Sequence, residues 1–176
     1  MEVIEAIKGR YSCRSFTSEP IDDDVVEELL ECARWAPSGL NNQPWRFVVV
    51  RDEQTRSALA QLTTSYDVIS QAPVNVVVLL DREAVYHHDK DVMGIGACIQ
   101  NLLLAAHSLG LGTCWLGQIL NRATDVLQLL GLDPELYELM AVVSIGHPSV
   151  EPPSDRRRKP LSELCLPPPG APDSRP

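Results

Sequence analysis

The stretch Ala36-Pro37-Ser38-Gly39-Leu40-Asn41-Asn42-Gln43-Pro44-Trp45-Arg46-Phe47 joins a strongly patterned helix to a strongly patterned strand. Its prolines favour extended backbone in the residues before them, and its glycine and asparagines tolerate a positive φ. The stretch is therefore predicted to be a stiff loop, and the polar side chains before the tryptophan carry no charge. Such a loop suits a flat, polar heteroaromatic ligand. A rigid connector that binds no ligand fits the same composition.

Length and composition predict one domain. The chain has 176 residues, a mass of 19.4 kDa and 44% apolar residues, which is enough for a sizeable core. We expect residues 1–165 to fold as a single unit. Residues 166–176 hold five prolines, and we expect this tail to be disordered or to lie on another surface.

Charge and hydropathy argue against several classes of function. The formal net charge is −9, which disfavours a general nucleic-acid binder because phosphate contact relies on a basic face. No apolar run reaches the roughly 18 residues of a membrane span, and the amino terminus leads into a helix without a signal peptide. We therefore expect a cytoplasmic protein with no membrane or nucleic-acid partner.

Metal and thiol chemistry are only weakly indicated. The five cysteines are widely separated and include no Cys-x-x-Cys pair, so reduced thiols, mostly in the core, are expected. His87 and His88 point apart on a helix and have no second cluster of metal ligands. We expect no metal site.

Hydrophobic periodicity predicts helices and strands that alternate without forming regular βαβ units. The predicted helices cover residues 3–8, 25–35, 53–62, 91–109 and 123–130. The predicted strands cover residues 46–50, 74–80, 113–117 and 139–145. These elements indicate an α+β fold with a sheet of four or five strands packed by helices. The helix 91–109 is apolar on most sides, which places it in a core or in a subunit interface.

A second candidate binding segment, Arg10-Tyr11-Ser12-Cys13-Arg14, follows the first helix. In extended backbone residues 10, 12 and 14 share one face, so two guanidinium groups and a hydroxyl point the same way. This is a donor set for phosphate, because arginine offers a fork of donors matched to phosphate oxygens. The alternative is a solvated surface on which Arg10 or Arg14 pairs with an acid such as Asp22 or Asp23.

Four segments, in this order along the chain, resemble the nitroreductase family of flavoproteins. They are Arg10-Tyr11-Ser12-Cys13-Arg14-Ser15-Phe16, then Ala36-Pro37-Ser38 through Asn41-x-Gln43-Pro44-Trp45, then residues 109–117, then residues 156–161. The resemblance implies a three-layer α+β sandwich with a central, mainly antiparallel sheet of four or five strands flanked by helices. It also implies an intertwined homodimer with one FMN in each of two sites at the subunit interface.

The resemblance assigns cofactor-binding roles to three groups of residues. The group at the FMN phosphate and ribityl chain comprises Arg10, Tyr11, Ser12 and Arg14, completed from the far end of the chain by Arg156 and Arg158. The group that comes from the partner subunit to the isoalloxazine ring comprises Pro37, Ser38, Gly39 and Asn41. The group that covers the other side of the ring, with a backbone N–H near flavin N5, comprises Trp115, Leu116 and Gly117.

The resemblance also implies an FMN-dependent NAD(P)H oxidoreductase. A hydride would pass from NADH or NADPH through flavin N5 to an acceptor such as a nitroaromatic or a quinone, in ping-pong order and without a catalytic side chain. The alternatives are a relative with another redox role (dehalogenation, enoate reduction, flavin fragmentation) and a flavin-binding protein without turnover. Two departures from the family leave the acceptor open. The chain lacks the inserted helical segment that covers the substrate channel in larger members, and residues 63–71 do not match the residues that contact the flavin pyrimidine in some members.

Overall fold

The computed structural model describes residues 1–166, so the predicted tail beyond Leu166 lies outside the described residues. Seven helices and four strands form within this part of the chain. The helices are α1 (Val3–Gly9), α2 (Asp23–Arg34), α3 (Glu53–Ala60), α4 (Tyr66–Gln71), α5 (His88–Ser108), α6 (Ala123–Leu129) and α7 (Leu161–Leu164). The strands are β1 (Trp45–Val50), β2 (Val74–Asp81), β3 (Gly112–Leu116) and β4 (Tyr137–Gly146).

The four strands form one antiparallel sheet in the order β1-β2-β4-β3. β2 lies between β1 and β4 and is buried along almost its whole length, as its continuous apolar sequence predicts. β3 is an edge strand. The segment after α1 adds to this edge, because Ser12 forms a parallel bridge with Thr113 of β3. The second candidate binding segment therefore lies along the β3 edge.

Helices cover both faces of the sheet and give the molecule three layers. On one face Val76 of β2 packs in a core with Leu29 of α2 and Ile99 of α5. On the other face Val77 of β2 belongs to a second core with Leu59 of α3 and with residues of α4 and α6. The predicted α+β sandwich with a central antiparallel sheet is confirmed.

The ends of the helices follow local sequence signals except where a helix is short. α5 begins at His88, three residues earlier than predicted, and ends before Gly110, whose φ of +78° closes the helix as the glycine predicts. The predictions did not include α4 and α7. These helices have six and four residues, too few for a helical period to be recognised.

The apolar middle of α5 is explained by the core of its own chain. Leu102, Leu103 and Ala106 are buried there. This stretch therefore gives no indication of a subunit interface, although its sequence allowed that interpretation. Large apolar side chains are exposed elsewhere, at Val3, Ile4, Ile7, Trp35, Leu40 and Met93.

The described residues bear on three further expectations. No helix within residues 1–166 is both long and apolar enough to cross a membrane. The same residues contain no group of three or more potential metal ligands. All cysteines are free, as expected, and burial raises the pKa of Cys98 to about 12, so this thiol is protonated at neutral pH. Cys165 is exposed rather than in the core.

Candidate functional site

The segment 10–14 is held against the edge of β3. The N–H of Cys13 donates to the carbonyl of Thr113 at 2.9 Å, and Ser12 forms its bridge to the same residue. Because the bridge is parallel, Arg10 lies toward the start of β3 and Arg14 toward its end. The structure thus brings Arg10, Ser12 and Arg14 to one edge of the sheet.

The C-terminal segment returns to the same region. The guanidinium of Arg156 donates to the carbonyl of Gly9, the last residue of α1. Arg156 and Arg158 line a cavity of about 440 Å³ together with Lys8 and Ser154. Basic side chains from both ends of the described chain therefore lie side by side. Lys8 belongs to this group but was not identified from the sequence, where it marks only the end of a helix.

His107 in the last turn of α5 is a further residue of this region that the sequence did not reveal. Its imidazole lies so close to Gly9 that a Cβ there would be 2.7 Å from Nε2. Burial lowers the pKa of His107, and the charges of Arg10 and Arg156 lower it further. His107 is therefore neutral at neutral pH.

Tyr11 completes the segment 10–14 beside this group. Burial raises the pKa of Tyr11, and the neighbouring Cys13 raises it further, so its hydroxyl stays protonated well above neutral pH. Its side chain is partly buried. Tyr11 can therefore contribute a neutral polar group and an apolar ring, but no charge.

Four arginines of this region, Arg10, Arg14, Arg156 and Arg158, have no carboxylate within 4.0 Å among residues 1–166. Asp23, which the sequence offered as a partner, binds Arg51 at 2.8 Å instead. The alternative of surface ion pairs is therefore wrong. Uncompensated guanidinium groups are a donor set for a phosphate or a similar anion.

The loop 36–47 is strained. Leu40, Asn41 and Gln43 have φ values of 54°, 57° and 48°, although all three carry side chains. Such conformations cost energy and cluster at functional sites. Gly39 does not have a positive φ, so the conformational tolerance of this glycine is not used. A glycine is needed there because a Cβ would overlap the ring of Tyr86.

Asp91 anchors this loop to the start of α5. Its fully buried carboxylate accepts hydrogen bonds from the side chain of Asn42 at 2.8 Å and from the N–H groups of Tyr86 and His87 at 2.9 Å. Burial by itself would raise the pKa of Asp91, but the three hydrogen bonds outweigh burial and hold the pKa below its usual value. Asn42 also donates to the carbonyl of Ala84 at 2.9 Å. The middle of the loop is therefore fixed by an ionised, buried side chain.

The loop and α5 enclose a cavity of about 290 Å³, which we call the loop pocket. At its centre a Cβ on Gly94 would lie 3.3 Å from the carbonyl oxygen of Pro37, so the absence of a side chain lets the loop approach the helix. Asn41 is exposed at the rim of the loop. The pocket is lined by Pro37, Ser38, Gly39, Lys90, Met93, Gly94 and Ala97.

The third predicted group, Trp115, Leu116 and Gly117, lies at the end of the edge strand β3. Trp115 is 42% exposed, and its ring lies 4.0 Å from where a Cβ of Gly96 would stand. Gly117 is exposed and has open space around it. The side chain of Leu116 is buried in the core on the opposite face of the sheet. Leu116 can therefore contact a ligand only through its backbone.

A polar contact supports the turn after Gly117. The hydroxyl of Thr63 donates to Oε1 of Gln118 at 2.6 Å, and the N–H of Thr64 donates to the same oxygen at 3.2 Å. The turn between α3 and α4 thus lies next to the residues that follow β3. The sequence gave no indication of this pair, because its members are separated by more than fifty residues.

The loop pocket and the Trp115 ring contact neighbouring strips of α5. The helix residues that line the pocket occupy positions 90, 93, 94 and 97, which is the spacing of one helix face. Gly96, which meets Trp115, lies three residues after Met93, so it flanks that face without lining the pocket. Within one chain the structure therefore joins the segment 10–14 to the Trp115 strand, and none of these residues is among those that line the loop pocket.

The fold and these groups define an α+β sandwich with a basic edge and a strained loop whose residues before Trp45 carry no charge. The model of the Nitroreductase family matches residues 7–66 and 63–147. A protein of Archaeoglobus fulgidus, assigned as NADH dehydrogenase/NAD(P)H nitroreductase, is 35% identical over 153 residues, which are 85% of this chain and 87% of that protein. An NADPH-flavin oxidoreductase of Vibrio harveyi is 32% identical over 161 residues, which are 85% of this chain and 67% of that protein.

A solved structure is similar over the whole fold. A protein of Desulfovibrio desulfuricans, assigned as a nitroreductase and crystallised in complex with FMN, has 45% sequence identity and a TM-score of 0.90. The match covers 96% of this chain and 98% of that chain. This chain belongs to the Nitroreductase family, and the resemblance seen in its four sequence segments is confirmed.

Proposed function

We propose that this chain is an FMN-dependent NAD(P)H oxidoreductase that passes a hydride to a small aromatic acceptor, such as a nitroaromatic or a quinone, in ping-pong order. The enzyme class and its cofactors, as predicted, are confirmed by the flavin oxidoreductase among its relatives and by the FMN complex of its structural neighbour. The acceptor and the order of the steps go beyond these comparisons.

The observation that carries the proposal is the unpaired basic group at the β3 edge. A phosphate monoester carries about two negative charges near neutral pH and presents several acceptor oxygens. Arg10, Ser12 and Arg14 on the edge and Arg156 and Arg158 on the C-terminal segment supply donors and charge without competing acids. These residues fit the terminal phosphate of FMN, and we assign them to it.

The remaining groups fit a flat ring with apolar faces and polar edges. Trp115 offers an exposed aromatic surface, and Gly117 is exposed, with open space where a side chain would stand. Ser38 and the backbone of Pro37 present uncharged polar groups at the loop pocket. When bound, FMN supplies the hydride acceptor at N5. The role of these residues is to orient the ring, to shield one face from water and to leave space for donor and acceptor in turn.

We propose that the loop pocket of one chain forms part of the FMN site of a second copy of the chain. Neither Trp115 nor any residue of the segment 10–14 lines this pocket, which supports a ring site completed by a second subunit. Leu40 is 85% exposed at the tip of the strained loop, and Met93 beside the pocket is 71% exposed. Exposed apolar side chains of this size next to a binding site favour an interface. We therefore propose a homodimer with two FMN sites.

Anaerobic reduction of the purified protein tests the function. Pigment released by heat is expected to be FMN, at about one per chain, and NADH or NADPH is expected to bleach it. Adding a nitroaromatic or a quinone to the reduced protein should restore the colour, and initial rates should give the parallel-line pattern of ping-pong kinetics. FAD as the pigment, or a yellow protein that neither nucleotide bleaches, would contradict the proposal.

A further inference from the structure

Lys90 places a single positive charge on the wall of the loop pocket. The other pocket residues are uncharged. The Lys90 ammonium donates to the hydroxyl of Tyr86 at 2.7 Å and lies 5.0 Å from the centre of its ring. Within residues 1–166 no carboxylate lies within 4.0 Å of it, and Asp89 lies 3.7 Å from Nδ1 of His88 instead. The charge is therefore free to meet an anion.

Tyr86 holds this ammonium in a fixed position. Its N–H donates to the buried Asp91, and its ring lies against Gly39, where no side chain fits. The side chain of a lysine normally loses considerable rotamer entropy when it binds a partner. Because Tyr86 already restrains Lys90, less of this entropy remains to be lost.

The position of Lys90 relates it to whatever enters beside the ring. It lies one helical turn before Gly94 on the same face of α5, about 6 Å along the axis. A ligand in the loop pocket therefore meets the Lys90 ammonium as well as Gly94 and Pro37. The chain carries a net charge of −9, so a local cation is needed to favour an anionic molecule there.

We propose that Lys90, held by Tyr86, makes the site selective for aromatic acceptors that carry a carboxylate. The inference rests on the proposed function, because the acceptor must enter the loop pocket beside FMN. A neutral acceptor of the same shape lacks the contact with the ammonium. For an exposed ion pair the expected preference is about 1.5-fold to fivefold in affinity.

Binding to the FMN-loaded protein tests this inference without turnover. The oxidised protein is titrated with 4-nitrobenzoate and with its neutral counterpart 4-nitrobenzamide, and binding is followed through the flavin absorbance. The wild type should bind the benzoate about 1.5-fold to fivefold more tightly. Lys90→Met should bind both compounds equally, and Tyr86→Phe should lose part of the preference. Arg56→Met on α3 removes the same charge outside the pocket and should keep the preference.

Several results would overturn the inference. They are equal affinity of the wild type for the two compounds, failure of the benzoate to bind, or an unchanged preference in Lys90→Met. A lowered flavin midpoint potential in Lys90→Met with the preference intact would assign the ammonium to the flavin instead, and would also overturn it. Failure of NADH and NADPH to bleach the protein would contradict the proposed function alone, because the titration of the oxidised protein still decides the role of Lys90.

Discussion

The guanidinium of Arg156 donates a hydrogen bond to the carbonyl of Gly9, 147 residues away in the sequence. This contact brings the C-terminal segment onto the end of α1, immediately before Arg10. It also brings Arg158 beside Lys8 in one cavity. Arginines from opposite ends of the chain can therefore act on one phosphate, and this arrangement can be tested by mutation.

We predict that Arg10→Ala and Arg158→Ala each weaken FMN binding by about one to two decades, because a charge-assisted contact contributes roughly 1.5 to 3 kcal/mol. If both side chains bind the same phosphate, the double variant should be non-additive. Fluorescence titration of the apoprotein with FMN measures all four forms.

A control for these substitutions is Arg157, which lies between Arg156 and Arg158 in the sequence. Arg157 pairs with Asp155 at 2.8 Å and is strongly exposed. Arg157→Ala should change FMN affinity by less than about 1 kcal/mol. Unchanged affinity in Arg10→Ala, or a loss in Arg157→Ala as large as in Arg158→Ala, would reject the phosphate assignment.

The buried Asp91 should be required for stability. In Asp91→Asn the side chain has one neutral acceptor in place of a carboxylate that receives three hydrogen bonds. We expect a loss of about 1 to 3 kcal/mol in the free energy of unfolding, measured with urea. The neighbouring Asp89 is exposed, so Asp89→Asn should change stability by less than about 0.5 kcal/mol. Equal effects of the two substitutions would show that Asp91 does not anchor the loop.

His107 and His88 should affect the pH dependence of apoprotein stability with opposite signs. Burial and the charges of Arg10 and Arg156 lower the pKa of His107 in the folded protein. The neutral ring of His107 therefore contributes to stability above about pH 6.5. This stabilisation is lost as the pH falls from about 6.5 through the lowered pKa, because protonation disfavours the fold. Hydrogen bonding to Glu138 raises the pKa of His88 in the folded protein. The contribution of His88 to stability is therefore present below about pH 6.5 and is lost as the pH rises through the raised pKa.

Urea unfolding at about pH 5.5 and pH 7.5 distinguishes these two histidines, since the ordinary histidine pKa of about 6.5 lies between the two pH values and the two shifts have opposite directions. Relative to the wild type, His107→Gln should lose less stability on acidification and His88→Gln should lose more. The same change in both variants would contradict the surroundings described for the two rings.

The sequence predicted those parts of the site that depend on local chemistry. The segment 10–14 and the loop 36–47 were found because alternation along a strand and the backbone limits of proline are visible in a few neighbouring residues. The roles of Asp91, Tyr86 and His107 were missed, because each depends on contacts that only the folded chain brings together. The apolar middle of α5 shows the same limit, since its sequence does not distinguish a core from an interface.

The proposed dimer predicts a mass in light scattering of about twice that of one chain. Leu40→Asp places a charge at the exposed tip of the strained loop and should weaken the dimer and FMN binding together, because the loop contributes to both. Leu129→Asp on α6 is a control at another exposed leucine and should leave both unchanged. A monomer that still holds FMN would contradict the shared site.

Complementation between two defective chains tests whether each FMN site is shared between two subunits. In one chain, Arg10→Glu reverses a charge at the proposed phosphate-binding edge. In the other chain, Gly94→Leu fills the loop pocket. Neither homodimer should bind FMN. A heterodimer isolated through two different affinity tags combines one intact phosphate edge with the intact loop pocket of the other chain, and should bind about one FMN. A heterodimer that binds no FMN is expected if each site is built from a single chain. That result would contradict the shared FMN site.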